Sequence, residues 1–265
     1  MNITNIIKLV NFILDKEWSG NTFTPDQFNT VISFVNEEVF SEEYTKLIGI
    51  SIQAGELQSR ELISLIDDSL LSPFKKLYNT TGAGSISIPS DYKKKLSAKI
   101  EDADGKIRYI EWVSEMEMQR RAAIISRKNP FEYPYGLIRE PVMVWVPKTV
   151  VDIDFIYLRQ PLTPFIDWAV SNTTGDTILL EPGWYITNDT GTINIRNAGN
   201  TIIYSDVTYY TSVPKGTGVL ARSIDPEYDQ MYYIMLVNRI LEKAGVRIND
   251  QAVVQYSQME QKKGE

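Results

Sequence analysis

The 265-residue chain carries 34 acidic against 27 basic side chains, a net charge of −7, with no cysteine and no histidine. Without cysteine there is no disulfide and no thiol chemistry. Without histidine the Ser-His-Asp triad and the common Cys/His zinc sites are excluded as well. The acidic balance argues against a globally basic nucleic-acid binder and leaves room only for local basic patches. A hydrophobic share of 43% and a charged share of 23% are those of an ordinary soluble globular protein. No apolar run approaches the roughly 20 residues that a membrane helix needs.

In chain order, residues 1–78 read as helical. Ile3, Ile6, Ile7, Val10, Ile13 and Leu14 follow a 3.6-residue period. That stretch has neither the basic start nor the cleavage site of a signal peptide, so it reads as an ordinary amphipathic helix. Gly20 and Asn21 break it. Thr24 caps a second helix with Pro25 at its first position, and Phe28, Val31, Ile32, Val35 and Val39 form its stripe. The pattern predicts a third helix from Leu57 to Leu71, and the three together suggest an antiparallel bundle.

After the turn-rich "NTTGAGS" (Asn79 to Ser85) the period becomes two. A hairpin is expected to turn at Asp104-Gly105. A short helix follows from Ser114, with Glu117 placed to close a capping box. "YGLIREPVMVWVPKTVVDIDFIYL" reads as two strands divided at Pro147-Lys148. In the second, Val151, Ile153, Phe155 and Tyr157 alternate with Asp152, Asp154, Ile156 and Leu158. Pro161 and Pro164 lack the N–H that a strand ladder needs, so the chain must leave the sheet there. Residues 165–220, rich in Thr, Asn, Asp and Gly, read as a small inserted β-meander. From Asp225 a helix is expected with Pro226 in its first turn, apolar nearly all round at Met231–Val237 and stopped by Gly245. Asn249 would cap a last, polar helix. The expected fold class is α+β: a helical bundle made by the N- and C-terminal helices, with an intervening β-rich domain. The divisions fall at 1–78, 79–164, 165–220 and 221–265.

Few residues point to chemistry. Asp152 and Asp154 share a strand face and could hold a divalent cation, although a solvated strand face is the ordinary reading. Glu111, Glu115 and Glu117 raise the question of a glycosidase pair, which only spatial separation can answer. "TGAGS" lacks the Lys-Ser/Thr end of a P-loop and reads as a connector. Lys93, Lys94, Lys95 and Lys99 form one basic group, and Arg120, Arg121, Arg127 and Lys128 another. Either could touch phosphates without reading sequence. No aromatics that could stack bases are interleaved with them. Trp168, Trp184, Tyr185, Tyr204, Tyr209 and Tyr210 could form a sugar platform, though aromatics on strands more often belong to a core or an interface. No catalytic set, metal site or cofactor site emerges, and an assembly subunit is what remains.

The chain also resembles a known group in the order of its elements. The stretches that carry the resemblance are "SIPSDYKKKLSAKI", "VWVPKTVVDIDFIYLRQPLTP" and "SIDPEYDQMYYIMLVNRILEKAGVRINDQAVVQYSQMEQKKGE". They are similar to the structural ring proteins of crass-like phages and, more broadly, to the head–tail connector (adaptor) proteins of podoviruses, including the tail tubular protein A kind. None of these stretches is a catalytic signature, and residues 165–220 match no pattern of the group. The resemblance implies a non-enzymatic virion protein, assembled in the host cytoplasm, that forms a twelve-fold ring. Such a ring touches the portal on one side and the next tail ring or hub on the other, and lets DNA pass through its lumen. Lys93, Lys94 and Lys95 are then candidates to face the DNA. Val253, Tyr256 and Met259 of the last helix are candidates to dock on the portal. Met231, Tyr232, Tyr233, Trp184 and Tyr209 are candidates for the contact between subunits. The rival readings are a host-binding tail module, which would use the aromatic meander, and a glycan hydrolase.

Overall fold

The structure, a computed structural model, describes residues 2–18, 22–53, 63, 65–82, 84–101, 105–124, 133–149, 152–189, 191–209, 213–229 and 232–245. Two units divide the chain: Met1–Ser41 with Pro161–Glu265, and Glu42–Gln160.

In the first unit the apolar stripe of the N-terminus forms α1 (Ile3–Trp18), and Ile3, Ile6, Ile7, Val10 and Leu14 are all buried. The second helix, α2 (Pro25–Gln53), begins in this unit and ends in the other. Its start is a full capping box: Gln27 N–H donates to Thr24 Oγ1 (3.3 Å) and Thr24 N–H to Gln27 Oε1 (3.0 Å). Asn11 brackets the link between the helices, accepting from Phe23 N–H (2.8 Å) and donating to Phe23 C=O (3.1 Å).

The other unit, Glu42–Gln160, is a two-sheet sandwich. One sheet joins β1 (Lys75–Thr81), β8 (Asp152–Arg159), β3 (Tyr92–Glu101) and β4 (Ile107–Tyr109) in that order. The other joins β2 (Ser85–Ser87), β7 (Val142–Val146), β6 (Tyr135–Arg139) and β5 (Glu111–Trp112). Ala98, Ile100, Ile153, Phe155 and Tyr157 of the first meet Met143 and Trp145 of the second in one core. The alternation along β8 sends Ile153, Phe155 and Tyr157 into it, as period two requires. Against the rim lies α3 (Glu115–Ile124), capped by Ser114, whose Oγ accepts from Glu117 N–H (3.3 Å).

Beyond Pro161 the first unit resumes with a second sandwich. A three-stranded sheet runs β10 (Thr177–Leu180), β9 (Asp167–Ser171), β14 (Val207–Tyr209). A four-stranded sheet runs β13 (Ile202–Tyr204), β12 (Thr192–Arg196), β11 (Tyr185–Asp189), β15 (Gly218–Leu220). Ala169, Leu180, Ile186, Ile195, Val207 and Tyr209 form its core. The last described helix is α4 (Tyr233–Lys243), followed by Gly245 at φ +83°, a conformation that suits glycine at a helix end.

This architecture corrects the expected helical bundle. Among the described residues the chain is mostly β, with fifteen strands in four sheets. Residues 75–78, within the stretch read as helical, and 79–81, read as turn, form β1 and pair with Asp152–Leu158 of β8. "YGLIREPVMVWV" folds into two strands of its own, β6 and β7, turning at Glu140-Pro141, so its stretch holds three strands rather than two. The meander is a complete sandwich. The helix expected from Asp225 starts at Tyr233 and is not apolar all round: Tyr233, Leu236, Val237, Ile240 and Leu241 make one buried stripe. That stripe packs on α1. Of the third helix expected from Leu57 to Leu71, residues 57–62 and 64 lie outside the described residues; helix remains at Leu65–Asp67.

The helices of the first unit cover backbone as well as one another. Asn29 of α2 accepts from Ile166 N–H (2.7 Å) and donates to Ile166 C=O (2.9 Å). Asn36 donates to Leu162 C=O (3.2 Å), while Glu227 accepts from Leu162 N–H (2.7 Å). Phe165 and Ile224 exchange backbone bonds, and Asp225 accepts from Ile3 N–H (2.8 Å) at the start of α1. The proline connector thus finds side-chain partners for the backbone groups a sheet would have satisfied.

Candidate functional site

Lys93, Lys94 and Lys95 lie at the start of β3, where two register shifts against β8, one between Tyr92 and Lys94 and one between Lys95 and Ser97, re-aim the side chains. Lys94 and Lys95 are exposed, while Lys93 is half-buried. Lys94 Nζ lies 5.4 Å from the centre of the Tyr44 ring and Lys95 Nζ 5.2 Å from that of Trp112. Burial lowers the Lys95 pKa from its ordinary value. Aromatic partners do stand beside these lysines, but they come from α2 and β5, so the local sequence could not show them. Next to this strip, Asp91 accepts from Tyr157 Oη (2.8 Å) and from Lys76 Nζ (2.5 Å). The Lys76 bond holds the Asp91 carboxyl below its usual range, and burial, then Asp91, raise the Tyr157 hydroxyl.

The second basic group is occupied by the very glutamates raised as a glycosidase pair. Arg121 makes a two-pronged pair with Glu111 (2.6 and 2.8 Å) and also donates to Glu117 (2.7 Å). Arg120 donates to the same Glu117 through two nitrogens (2.7 and 2.8 Å). Glu115 pairs with Arg139. Arg120 and then Arg121 pull the Glu117 carboxyl down to about 2, and Arg121 lowers that of Glu111. A glycosidase needs one carboxyl raised so that it can donate a proton. Glu111 and Glu117 are shifted the other way. Arg127 and Lys128 lie outside the described residues.

Asp152 and Asp154 flank a cleft of about 90 Å³ with Lys99, Ile100, Glu101 and Ile107. Lys99 Nζ sits 2.9 Å from Asp154 Oδ2, so a cation already answers that carboxylate. Among the described residues no group of three acidic side chains is placed to hold a metal. In "TGAGS", Gly84 takes φ +78° and its C=O accepts from Trp145 N–H (3.0 Å), a structural link to β7.

The aromatics of the second sandwich do not form one platform. Trp168 donates its indole N–H to Asp26 (3.3 Å). Trp184 packs on the core beside Tyr204, their ring centres 6.5 Å apart. Tyr209, proposed for a subunit contact, is buried and donates to Asp167 (2.7 Å). Tyr233, proposed likewise, is buried, and its hydroxyl donates to Pro226 C=O (3.3 Å). Both face the interior of their own unit, because each sits at an inward position of its element. Tyr232 is half-buried; Met231 and Tyr210 lie outside the described residues, as do Val253, Tyr256 and Met259.

Sequence reasoning singled out Tyr185 and Tyr204 but passed over Ile202, Ile203 and Leu220, which are exposed on the same sheet. Tyr185, Ile202, Ile203, Tyr204 and Leu220, all on the sheet β13-β12-β11-β15, are each more than a third exposed. Their alternation with buried Ile186 and Ile195 reads as a half-buried strand pattern, which hides an apolar outer surface. No helix among the described residues is long and apolar enough to cross a membrane. No known protein-family model matches the chain, and no curated protein sequence matches it.

Proposed function

We propose that this chain is a structural subunit of the head–tail connector of a short-tailed phage. Its copies form a ring between the portal and the next tail component, around the path of the DNA. The observation that carries the reading is that one four-stranded sheet leaves five apolar side chains exposed, four of them on its two edge strands. Apolar side chains left in water at the edges of a sheet favour a contact surface over a solvated face. The resemblance of the β-strand exit and the C-terminal stretch to connector proteins supplies the kind of assembly. The arginine-clamped glutamates on α3 weigh against the glycan hydrolase. Trp168 bonded to Asp26 and Tyr209 buried on Asp167 weigh against a sugar platform made of all these aromatics.

In this reading Lys94 and Lys95 supply sequence-independent contact with DNA, and Val253, Tyr256 and Met259 dock on the portal. A chain ending at Ile248 tests the docking. It keeps α4 and folds as the full chain does, yet fails to co-sediment with the cognate portal protein. Co-sedimentation of the shortened chain equal to that of the full chain contradicts the docking assignment, and failure of both chains to bind contradicts the connector reading.

A further inference from the structure

Among the described residues the four-stranded sheet of the first unit ends at β13 on one side and β15 on the other, with no strand paired beyond either. An open edge presents unpaired N–H and C=O groups, and soluble proteins normally protect such edges with lysine, proline or an inward charge. Neither strand carries any of these: β13 is Ile202-Ile203-Tyr204 and β15 is Gly218-Val219-Leu220. Every residue from 198 to 206 is exposed, so nothing of the unit's described chain covers β13. Leu220, on the opposite edge, is 52% exposed.

The strand directions of the sheet add a second observation. Each neighbouring pair, β13 with β12, β12 with β11, and β11 with β15, is antiparallel. With four alternating strands, the two edges run in opposite directions. Setting the β13 edge of one copy beside the β15 edge of the next, by a rotation that preserves strand direction, therefore continues the antiparallel ladder. The flanking charges agree with that arrangement. Exposed Asp206 follows β13 and exposed Lys215 precedes β15. In an antiparallel pair the residues after one strand lie beside those before the other, so the carboxylate and the ammonium fall at the same end of the joint. Pairing β13 with a second β13 would place Asp206 near uncharged Asn200 instead, and would leave Leu220 uncovered.

We infer that copies of this chain join head to tail through β-sheet continuation, the β13 edge of one against the β15 edge of the next. The occupant of each edge is a second copy of this same chain. A heterologous joint of this kind closes into a ring when its rotation closes, and otherwise extends as a filament. The inference rests on the ring reading above and specifies the joint that holds it.

The test uses the full chain and two single variants at exposed edge positions, Ile203→Lys and Leu220→Lys, with mass read by analytical ultracentrifugation and folding by circular dichroism. The wild type assembles beyond a dimer, and each variant alone is a folded monomer. An equimolar mixture of the two variants gives a species of two protomers and nothing larger. The intact β13 edge of Leu220→Lys still meets the intact β15 edge of Ile203→Lys, and the two lysine-bearing edges cannot extend the chain. If Ile203→Lys loses its folded signal, Ile202→Lys takes its place. Assembly of Leu220→Lys like the wild type overturns the joint, as does a mixture that stays monomeric or a wild type that is monomeric at its highest soluble concentration. If both variants assemble and still bind the portal, the joint is wrong while the connector reading stands.

Discussion

Tyr209 Oη donates a hydrogen bond of 2.7 Å to the buried Asp167 carboxyl, tying β14 to its neighbour β9. Asp167 is fully buried and also accepts from Arg222 N–H (2.9 Å) and Trp168 N–H (3.0 Å). Its own N–H goes to Ser223 Oγ (2.9 Å), which donates on to Leu180 C=O (2.6 Å). A carboxyl taken out of water is costly unless its lone pairs are used. Here one side chain gathers the strand start, the segment after β15 and β14. Tyr209→Phe removes one of the donors and is expected to destabilise the first unit by about 1–3 kcal/mol. Asp167→Ala, which also strands the Arg222 N–H, costs more. Urea unfolding followed by tryptophan fluorescence measures both. The exposed Thr177→Val change, on β10 of the same sheet, stays within about 0.5 kcal/mol.

The strand pattern, the Thr24 cap, the Ser114 cap and the Gly245 stop were legible because each is a local signal. The larger plan was not. Residues 75–81 carry Lys75, Lys76 and Leu77 after a helix-like run, and only pairing with Asp152–Leu158 makes them a strand. The α4 stripe looked apolar all round because Ile234 and Met235 adjoin the buried positions, yet Ile234 is exposed. Asn29 and Asn36 carry no signal in the helix pattern, yet they hold the connector at Ile166 and Leu162. Their partners lie more than a hundred positions away, and no periodicity reports such a distance. The same holds for the site residues. Tyr209 and Tyr233 were chosen for aromatic character, and burial assigns them to the interior. The exposed edges at β13 and β15 depend on strand order, which alternation cannot supply.

Acid should loosen the Arg–Glu cluster that joins α3 to β5. Glu117 is lowered from its ordinary 4.5 to about 2 by Arg120 and Arg121, and Glu111 is lowered by Arg121. A carboxyl whose folded pKa lies below its unfolded one adds stability that is complete above the unfolded value. That stability is lost as pH falls through the folded value. The contribution of Glu117 therefore disappears between about pH 4.5 and about pH 2. Stability measured across that window falls more steeply for the wild type than for Glu117→Gln. Equal slopes would show that these pairs contribute nothing.

The lysines of β3 are expected to bind DNA by charge alone. Each neutralised phosphate releases condensed counterions, so affinity falls with salt along a slope set by the number of contacts. Replacing Lys94 and Lys95 with Glu should weaken double-stranded DNA equally across unrelated sequences and lower the log–log salt slope by about 2. Fluorescence anisotropy at graded salt reads both quantities. An unchanged slope removes these two residues from the DNA path.

The connector reading stands or falls on the state of the assembled protein. The most direct measurement is the mass and symmetry of the full chain, alone and with the cognate portal protein, by native mass spectrometry and particle imaging. The account predicts a closed ring of one copy number, twelve-fold by the resemblance, that stacks coaxially on the portal. A chain that stays monomeric in both conditions, or that binds the portal as isolated single copies, contradicts it.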